Sequence, residues 1–213
     1  HEIRTPLNGI VGFSQVLTSM LDDKEEYRQM SDVIIEKSNQ LTKIIDDVLY
    51  ASDIQNIPVN LESVNIGDVI VDVSANYRGL LPKDGEMIVT PDSSDIMATT
   101  DRTLLAKALT LVVDNAVKFA GNSLITIAAR QDDSHTEITV SDCGKGIPKD
   151  KSEWVFEEFT KVDDFTQGTG LGLAICREVM KRLNGSICID TNYTCGCRMV
   201  INLPLTPGQG TGT

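Results

Sequence analysis

Residues 102–120, RTLLAKALTLVVDNAVKFA, are the stretch on which the fold turns. Its apolar residues recur at helical spacing, and Asn115 and Lys118, three positions apart, point to one side of that helix. An Asn side chain offers a neutral oxygen to magnesium, and a Lys offers a point charge to phosphate. Alone, the pair fits an ordinary amphipathic surface helix better. The segments on either side have to decide between the two.

Working outward, short strand patterns surround this helix. They fall at VNLESV (59–64), EMIVTP (86–91), DIMATT (95–100), LITIAARQ (124–131), TEITVSD (136–142), SICIDT (186–191) and CRMVINLPL (197–205). Two more helices are expected near 66–81 and 170–185. Hairpin-like strand neighbours beside helices predict an α+β fold: an α/β sandwich over 58–207, with helices on one face of a mixed, mostly antiparallel sheet. Residues 208–213 read as a disordered tail or linker.

The chain before Pro58 is different in kind. Ile3, Leu7, Ile10, Val11, Leu17 and Leu21 follow one helical stripe, and Met30, Ile34, Leu41, Ile44, Ile45, Val48 and Leu49 a second. The polar DDKEE at 22–26 breaks between them, which predicts an antiparallel helical hairpin over 1–57. A hairpin of that size is marginal alone, so two copies are expected to pair as a dimeric four-helix bundle. Pro6 withdraws a helical donor from the carbonyl of Glu2 and predicts a kink there.

Composition narrows the partners. A net charge of -12 repels phosphate backbones and anionic lipid, which argues against nucleic acid and against direct membrane binding. No apolar run reaches the ~20 residues of a membrane span. A chain opening on His1 without an initiator methionine is expected to be a fragment. Five cysteines, an odd number without scaffold-like spacing, predict reduced thiols; the pair in CGC (195–197) also allows metal binding or oxidation.

Three further segments add chemistry to the helix. SDCGKGI (141–147) follows a strand: Asp142 can accept a hydrogen bond from an exocyclic amine, and Gly144 and Gly146 permit a tight backbone path beside a flat ligand. GTGLGLAI (168–175) opens a helix whose free N–H groups suit phosphate oxygens. Its G-x-G-x-G spacing is neither the dinucleotide fingerprint nor a P-loop. VFEEFTKVDDFTQ (155–167), between these turns, reads as a lid with Lys161 able to reach a terminal phosphate. Each segment has an ordinary counterpart, a strand-to-helix turn, a glycine-rich helix start or a surface loop. Their order is what makes the set specific.

In that order the chain resembles the catalytic core of sensor histidine kinases of two-component systems. HEIRTPL resembles the family's H-box, DNAVKFA its N-box, DCGKGI and GTGLGL its two glycine boxes, and FEEF its F-box. The resemblance covers nearly all of the chain except the tail. It implies ATP and magnesium as cofactors, a homodimer, a response regulator receiver domain as partner, and a cytoplasmic fragment of a membrane-anchored sensor protein that touches the membrane only through missing upstream segments. His1 would be the phosphoacceptor, Glu2 the acid that orients or deprotonates its ring, and Thr5 a residue that positions water for dephosphorylation of the partner. Asn115 would ligate magnesium and Asp142 would read adenine. Gly168, Gly170 and Gly172 would let lid and helix approach the phosphates.

Two positions depart from the family pattern. Leu111 stands where many members carry a second polar residue, usually Asn, and Cys143 where threonine is more usual. Leu111 leaves open a second reading, a nucleotide-binding dimeric scaffold that transfers no phosphate. It also argues against a third, a gyrase-type ATPase, in which a glutamate there activates water.

Overall fold

The computed structural model describes residues 4–20, 25–77, 79–81, 85–90, 95–162 and 169–205. These fall into two compact units, one reaching Gln55 and the other built mainly from Asn56 onward.

The first unit is the expected helical pair, α1 (Arg4–Met20) and α2 (Glu25–Asp53), extended by a short 3-10 turn at Ile54–Asn56. Between its helices it buries Leu7 and the small polar residues Ser14, Ser31 and Ser38. Most of the apolar stripe faces outward: Ile10, Leu17, Ile34, Leu41, Ile44 and Val48 are each about 40–50% exposed. The kink expected at Pro6 rests on Glu2, which lies outside the described residues.

The second unit carries all seven strands. Glu62–Asn65 (β1) and Met97–Thr100 (β3) pair antiparallel as a small separate sheet. The main sheet joins Met87–Val89 (β2), Ile125–Gln131 (β4), His135–Asp142 (β5), Ser186–Ile189 (β6) and Arg198–Pro204 (β7) in the order β2-β4-β5-β7-β6. Only the β2–β4 pair is parallel, so the sheet is mixed and mostly antiparallel.

Alternation along the strands makes two faces. Ile125, Ile127, Ile138, Val140, Met199 and Ile201 are buried on one of them. Against that face pack α3 (Ile66–Ala75), α4 (Arg102–Phe119) and α5 (Gly172–Arg182), whose buried sides include Ile66, Ile70, Leu105, Leu109, Ile175 and Val179. The result is a two-layer α/β sandwich.

Asp101 fixes where α4 starts. Its Oδ1 accepts the Leu104 N–H at 2.9 Å as an N-cap, and its Oδ2 accepts the Asn60 N–H at 2.8 Å. One carboxylate thereby caps the helix and anchors the incoming linker. Arg182, in the last turn of α5, donates to the carbonyl of Ile57 and holds the same linker from the other side.

Candidate nucleotide site

With the inner side of α4 buried from Leu104 to Ala116, Asn115 is left half-buried and Lys118 exposed. Lys118 Nζ and Lys145 Nζ both lie near the Phe119 ring, 4.9 and 5.1 Å from its centre. Two cations therefore flank the last turn of α4, where the helix dipole also favours positive charge. One turn earlier in the helix the Tyr77 hydroxyl donates to Asp114 Oδ1 at 2.6 Å. Burial, then that bond, raise the Tyr77 pKa well above the usual phenol range, so it stays a donor. This contact ties the end of α3 to the turn of α4 that carries Asn115.

Asp142 ends β5 with only 4% of its surface exposed. Its Oδ1 accepts the Gly144 N–H at 2.8 Å and the Cys197 N–H at 3.4 Å, while its own N–H donates to Cys197 O at 2.8 Å. Burial raises the carboxyl pKa against the lowering effect of the two N–H donors. Among the described residues nothing bonds Oδ2, which remains an acceptor for a ligand amine.

The glycines after Asp142 are required by close approach. A Cβ on Gly144 would sit 2.1 Å from Phe119 O, and one on Gly146, at φ +67°, 2.7 Å from Gly196 O. The turn is thus pressed between the end of α4 and the β6–β7 connection.

That approach overturns one expectation. Cys143 is bonded to Cys195, with a Cα–Cα separation of 4.8 Å, so only Cys176, Cys188 and Cys197 are free thiols. Spacing along the chain concealed the pair. The β5–β7 register places Ser141 opposite Arg198, so the residues just beyond the two strand ends meet. Gly196 completes the contact: a Cβ there would lie 2.4 Å from Asp142 O and 2.7 Å from Gly144 N. Neither Gly196 nor Cys195 was singled out as a site residue, although the CGC triplet was its visible signal.

The phosphate side is built from α5 and the segment before it. Helix α5 starts at Gly172, and no side chain caps its first turn, which leaves those amides to a ligand. Leu111, buried to 7%, faces this start: its Cδ2 lies 3.7 Å from where a Gly172 Cβ would be. The position that departs from the family pattern is thus an apolar contact between α4 and α5. Gly170 has φ +72°, and a Cβ there would lie 2.7 Å from the carbonyl carbon of Phe159. Phe159 is itself at φ +61° and 66% exposed, whereas Phe156 is buried. Arg177 of α5 stacks on the Phe156 ring at 4.3 Å and pairs with Glu153 at 2.6 Å, clamping the segment to the helix.

Asn115, Lys118, Asp142, Gly144, Gly146, Gly170 and Gly172 are therefore gathered around α4. The turn after Asp142 touches its Phe119 end, and the glycine-rich helix start touches Leu111, about 12 Å away along the helix axis. Lys161 is exposed on the stretch leading to residue 163. Thr5 lies in α1 of the other unit; His1, Glu2 and Gly168 fall outside the described residues. No group of three or more His, Cys, Asp or Glu side chains among the described residues could hold a metal by itself. Asn115, half-buried on α4, carries a neutral amide oxygen of the kind that could serve as one ligand to a magnesium ion.

A second depression, about 560 Å³, lies on the outer sheet face and is lined by Arg130, Glu137, Cys188, Asp190 and Arg198 among others. Its charges pair with one another, Arg130 with Glu137 at 2.8 Å and Arg198 with Asp190 at 3.5 Å. It offers a ligand little that is not already satisfied.

Residues 100–207 match the family described as histidine kinase-, DNA gyrase B- and HSP90-like ATPase, and residues 1–57 match the His Kinase A (phospho-acceptor) domain. The chain is 30% identical over 223 residues to the autoinducer 2 sensor kinase/phosphatase LuxQ of Vibrio vulnificus, covering 98% of this chain and 26% of LuxQ. It is 28% identical over 215 residues to the sensor-like histidine kinase SenX3 of Mycolicibacterium smegmatis, covering 97% of this chain and 56% of SenX3. The chain thus spans about a quarter to a half of the length of these curated relatives. Among solved structures it resembles full-length ShkA in complex with AMPPNP, with a TM-score of 0.77 at 26% identity, over 97% of this chain and 44% of ShkA.

Proposed function

Because the chain belongs to the histidine kinase family, joining a phospho-acceptor domain to an ATPase-type domain, we propose that it phosphorylates itself on His1 from ATP. From there it passes the group to an aspartate on a response regulator receiver domain. In this reading residues 1–57 are the dimerisation and phosphotransfer hairpin and residues 58–207 the ATP-binding domain. Asp142 Oδ2 accepts from the adenine amine, and the amides at the start of α5 cradle the phosphates. Lys118 and Lys161 supply positive charge toward the phosphates. Asn115 would hold magnesium, which when bound would supply positive charge to the transferred phosphoryl group.

On the hairpin, an imidazole nitrogen of His1 attacks the γ-phosphorus while Glu2 orients the ring and accepts its proton. The P–N bond forms as the bond to the ADP oxygen breaks. Thr5, one helical turn on, positions water for the reverse duty, dephosphorylation of the partner. The exposed stripe of Ile10, Leu17, Ile34, Leu41, Ile44 and Val48 supports a homodimer, since a second hairpin would cover it.

One observation carries the nucleotide half of this reading. A buried carboxylate with a spare oxygen and an uncapped helix start are held at two points along one helix, on the side that bears Asn115. A second reading, a dimeric nucleotide-binding scaffold, is favoured by one residue, Leu111, whose apolar contact occupies a place where relatives carry a polar group.

Incubation with γ-labelled ATP separates the two. Kinase chemistry predicts an acid-labile, base-stable label on the protein that vanishes in His1→Gln while nucleotide binding persists. Glu2→Gln should slow labelling roughly 10²-fold if Glu2 is the base. Nucleotide binding without any label would leave the scaffold standing and sink the kinase.

A further inference from the structure

We propose that Cys143 and Cys195 are a reversible thiol–disulfide site that sets nucleotide affinity, the bonded form binding more tightly. The inference rests on the reading of Asp142 as the base acceptor.

The bond is placed where that carboxylate is held. Cys143 lies between Asp142 and Gly144, and Cys195 lies two residues before Cys197. The N–H groups of Gly144 and Cys197 are the two donors to Asp142 Oδ1. Each donor thus sits within two residues of one of the bonded sulfurs. The carboxylate's orientation is fixed by two chain segments that the disulfide ties across a separation of 52 residues.

Breaking the bond removes a constraint from a tightly packed turn. Gly196 already approaches Asp142 O and Gly144 N so closely that a Cβ would not fit. Two unbonded sulfurs need roughly 1.5 Å more separation than bonded ones. Rotation of the two exposed side chains supplies that separation, and residues 143–146 and 193–196 then lose their covalent tie, leaving the Asp142–Cys197 backbone bond to hold the strand ends together. Those residues carry the Gly144 donor and the flat path beside the base. Opening the bond therefore loosens a preformed acceptor, which lowers affinity by adding an ordering cost to binding.

Access separates this pair from the other sulfurs. Cys143 and Cys195 are both exposed, while Cys176 and Cys197 are buried and their thiols are pushed up to about 12 by burial. A dithiol reductant reaches the exposed pair. Its thiolate attacks one sulfur, forms a mixed disulfide and releases the other protein sulfur as a thiolate that takes up a proton. The reductant's second thiol then closes on the first, freeing the remaining protein thiol. Two electrons pass from the dithiol to the protein, and the reductant leaves as a disulfide.

The test measures affinity for the non-hydrolysable analogue AMPPNP by calorimetry, after oxidised glutathione and after dithiothreitol. Alkylation and mass spectrometry report the bond in each sample. The oxidised chain is expected to bind at least about fivefold more tightly than the reduced chain. Cys143→Ser and Cys195→Ser should bind like the reduced chain under both treatments. Equal affinities with the bond made and broken would overturn the proposal, as would free thiols at 143 and 195 after oxidation. Asp142→Asn distinguishes the failures. If it abolishes binding while the thiol state has no effect, only the thiol site falls. If it leaves affinity unchanged, the base-acceptor reading falls and this proposal with it.

Discussion

Gly170 and Gly172 are two residues apart in one glycine-rich turn, yet the structure predicts opposite outcomes when each becomes alanine. At Gly170 the backbone has φ +72°, and a Cβ would sit 2.7–2.8 Å from the Phe159 and Thr160 backbone. An L-residue in that conformation costs about 1–2 kcal/mol. Forcing a methyl against rigid backbone adds about 1–3 kcal/mol. Gly170→Ala should therefore lose roughly 2–5 kcal/mol, or about 4–20 °C in midpoint for a domain of this size. At Gly172 the nearest atom to a new Cβ is Leu111 Cδ2 at an ordinary 3.7 Å, and no positive φ stands in the way. Alanine there should be neutral or stabilising by up to about 1 kcal/mol. Thermal unfolding followed by Trp154, the chain's single tryptophan, reads both variants from beside the affected segment. Equal midpoints for the two variants would refute the claim that the lid segment packs on Gly170.

Asp142→Asn should weaken adenine nucleotide binding about tenfold or more, seen by calorimetry, since a carboxylate acceptor is replaced by an amide. The Asp142 pKa is raised, so binding that needs the carboxylate is fully present above it. Affinity should fall as pH drops through a range higher than that of an exposed aspartate, and a flat profile down to pH 4 would contradict the assignment. Asn115→Ala should abolish the magnesium dependence of ATP affinity while binding of nucleotide without metal survives; retained dependence would place the ion elsewhere. Arg177→Ala removes the stack on Phe156 and the pair with Glu153. It should raise proteolytic cleavage within 153–162 and slow phosphotransfer more than it changes nucleotide affinity, and an unchanged cleavage pattern would show that the clamp is idle.

Strand existence was legible because the alternation of apolar and polar residues is local, and all seven expected strands are present. Their division into two sheets was not. β1 and β3 pair across more than thirty residues, and nothing in either short run specifies that partner. The helix carrying Asn115 was legible for the same local reason, down to its last turn. The strand expected at 136–142 begins one residue earlier, at His135, a boundary shift of the kind short hairpins produce. What escaped reading were contacts between strand ends. The Cys143–Cys195 bond needs the β5–β7 register, and the glycine at 196 needs that bond's neighbours to explain it. The left-handed backbone at Phe159 had no signal at all, since phenylalanine is a poor guess for such a position. Leu111 was visible as a departure, but only the folded chain gives it a neighbour in Gly172.

The glycines at 144, 146, 170 and 196 share one property, that backbone already occupies the space of a side chain. Much of the pocket wall is accordingly main chain, and main chain has no alphabet. A directed-evolution library that varied these four codons would return mostly misfolded proteins, not altered ligand preference. If the proposed nucleotide site holds, the variation that can be selected lies in the few side chains assigned to it, Asp142, Asn115 and Lys118 among them. Retraining this site for a different base is therefore a search over a handful of codons, small enough to be exhausted at the bench.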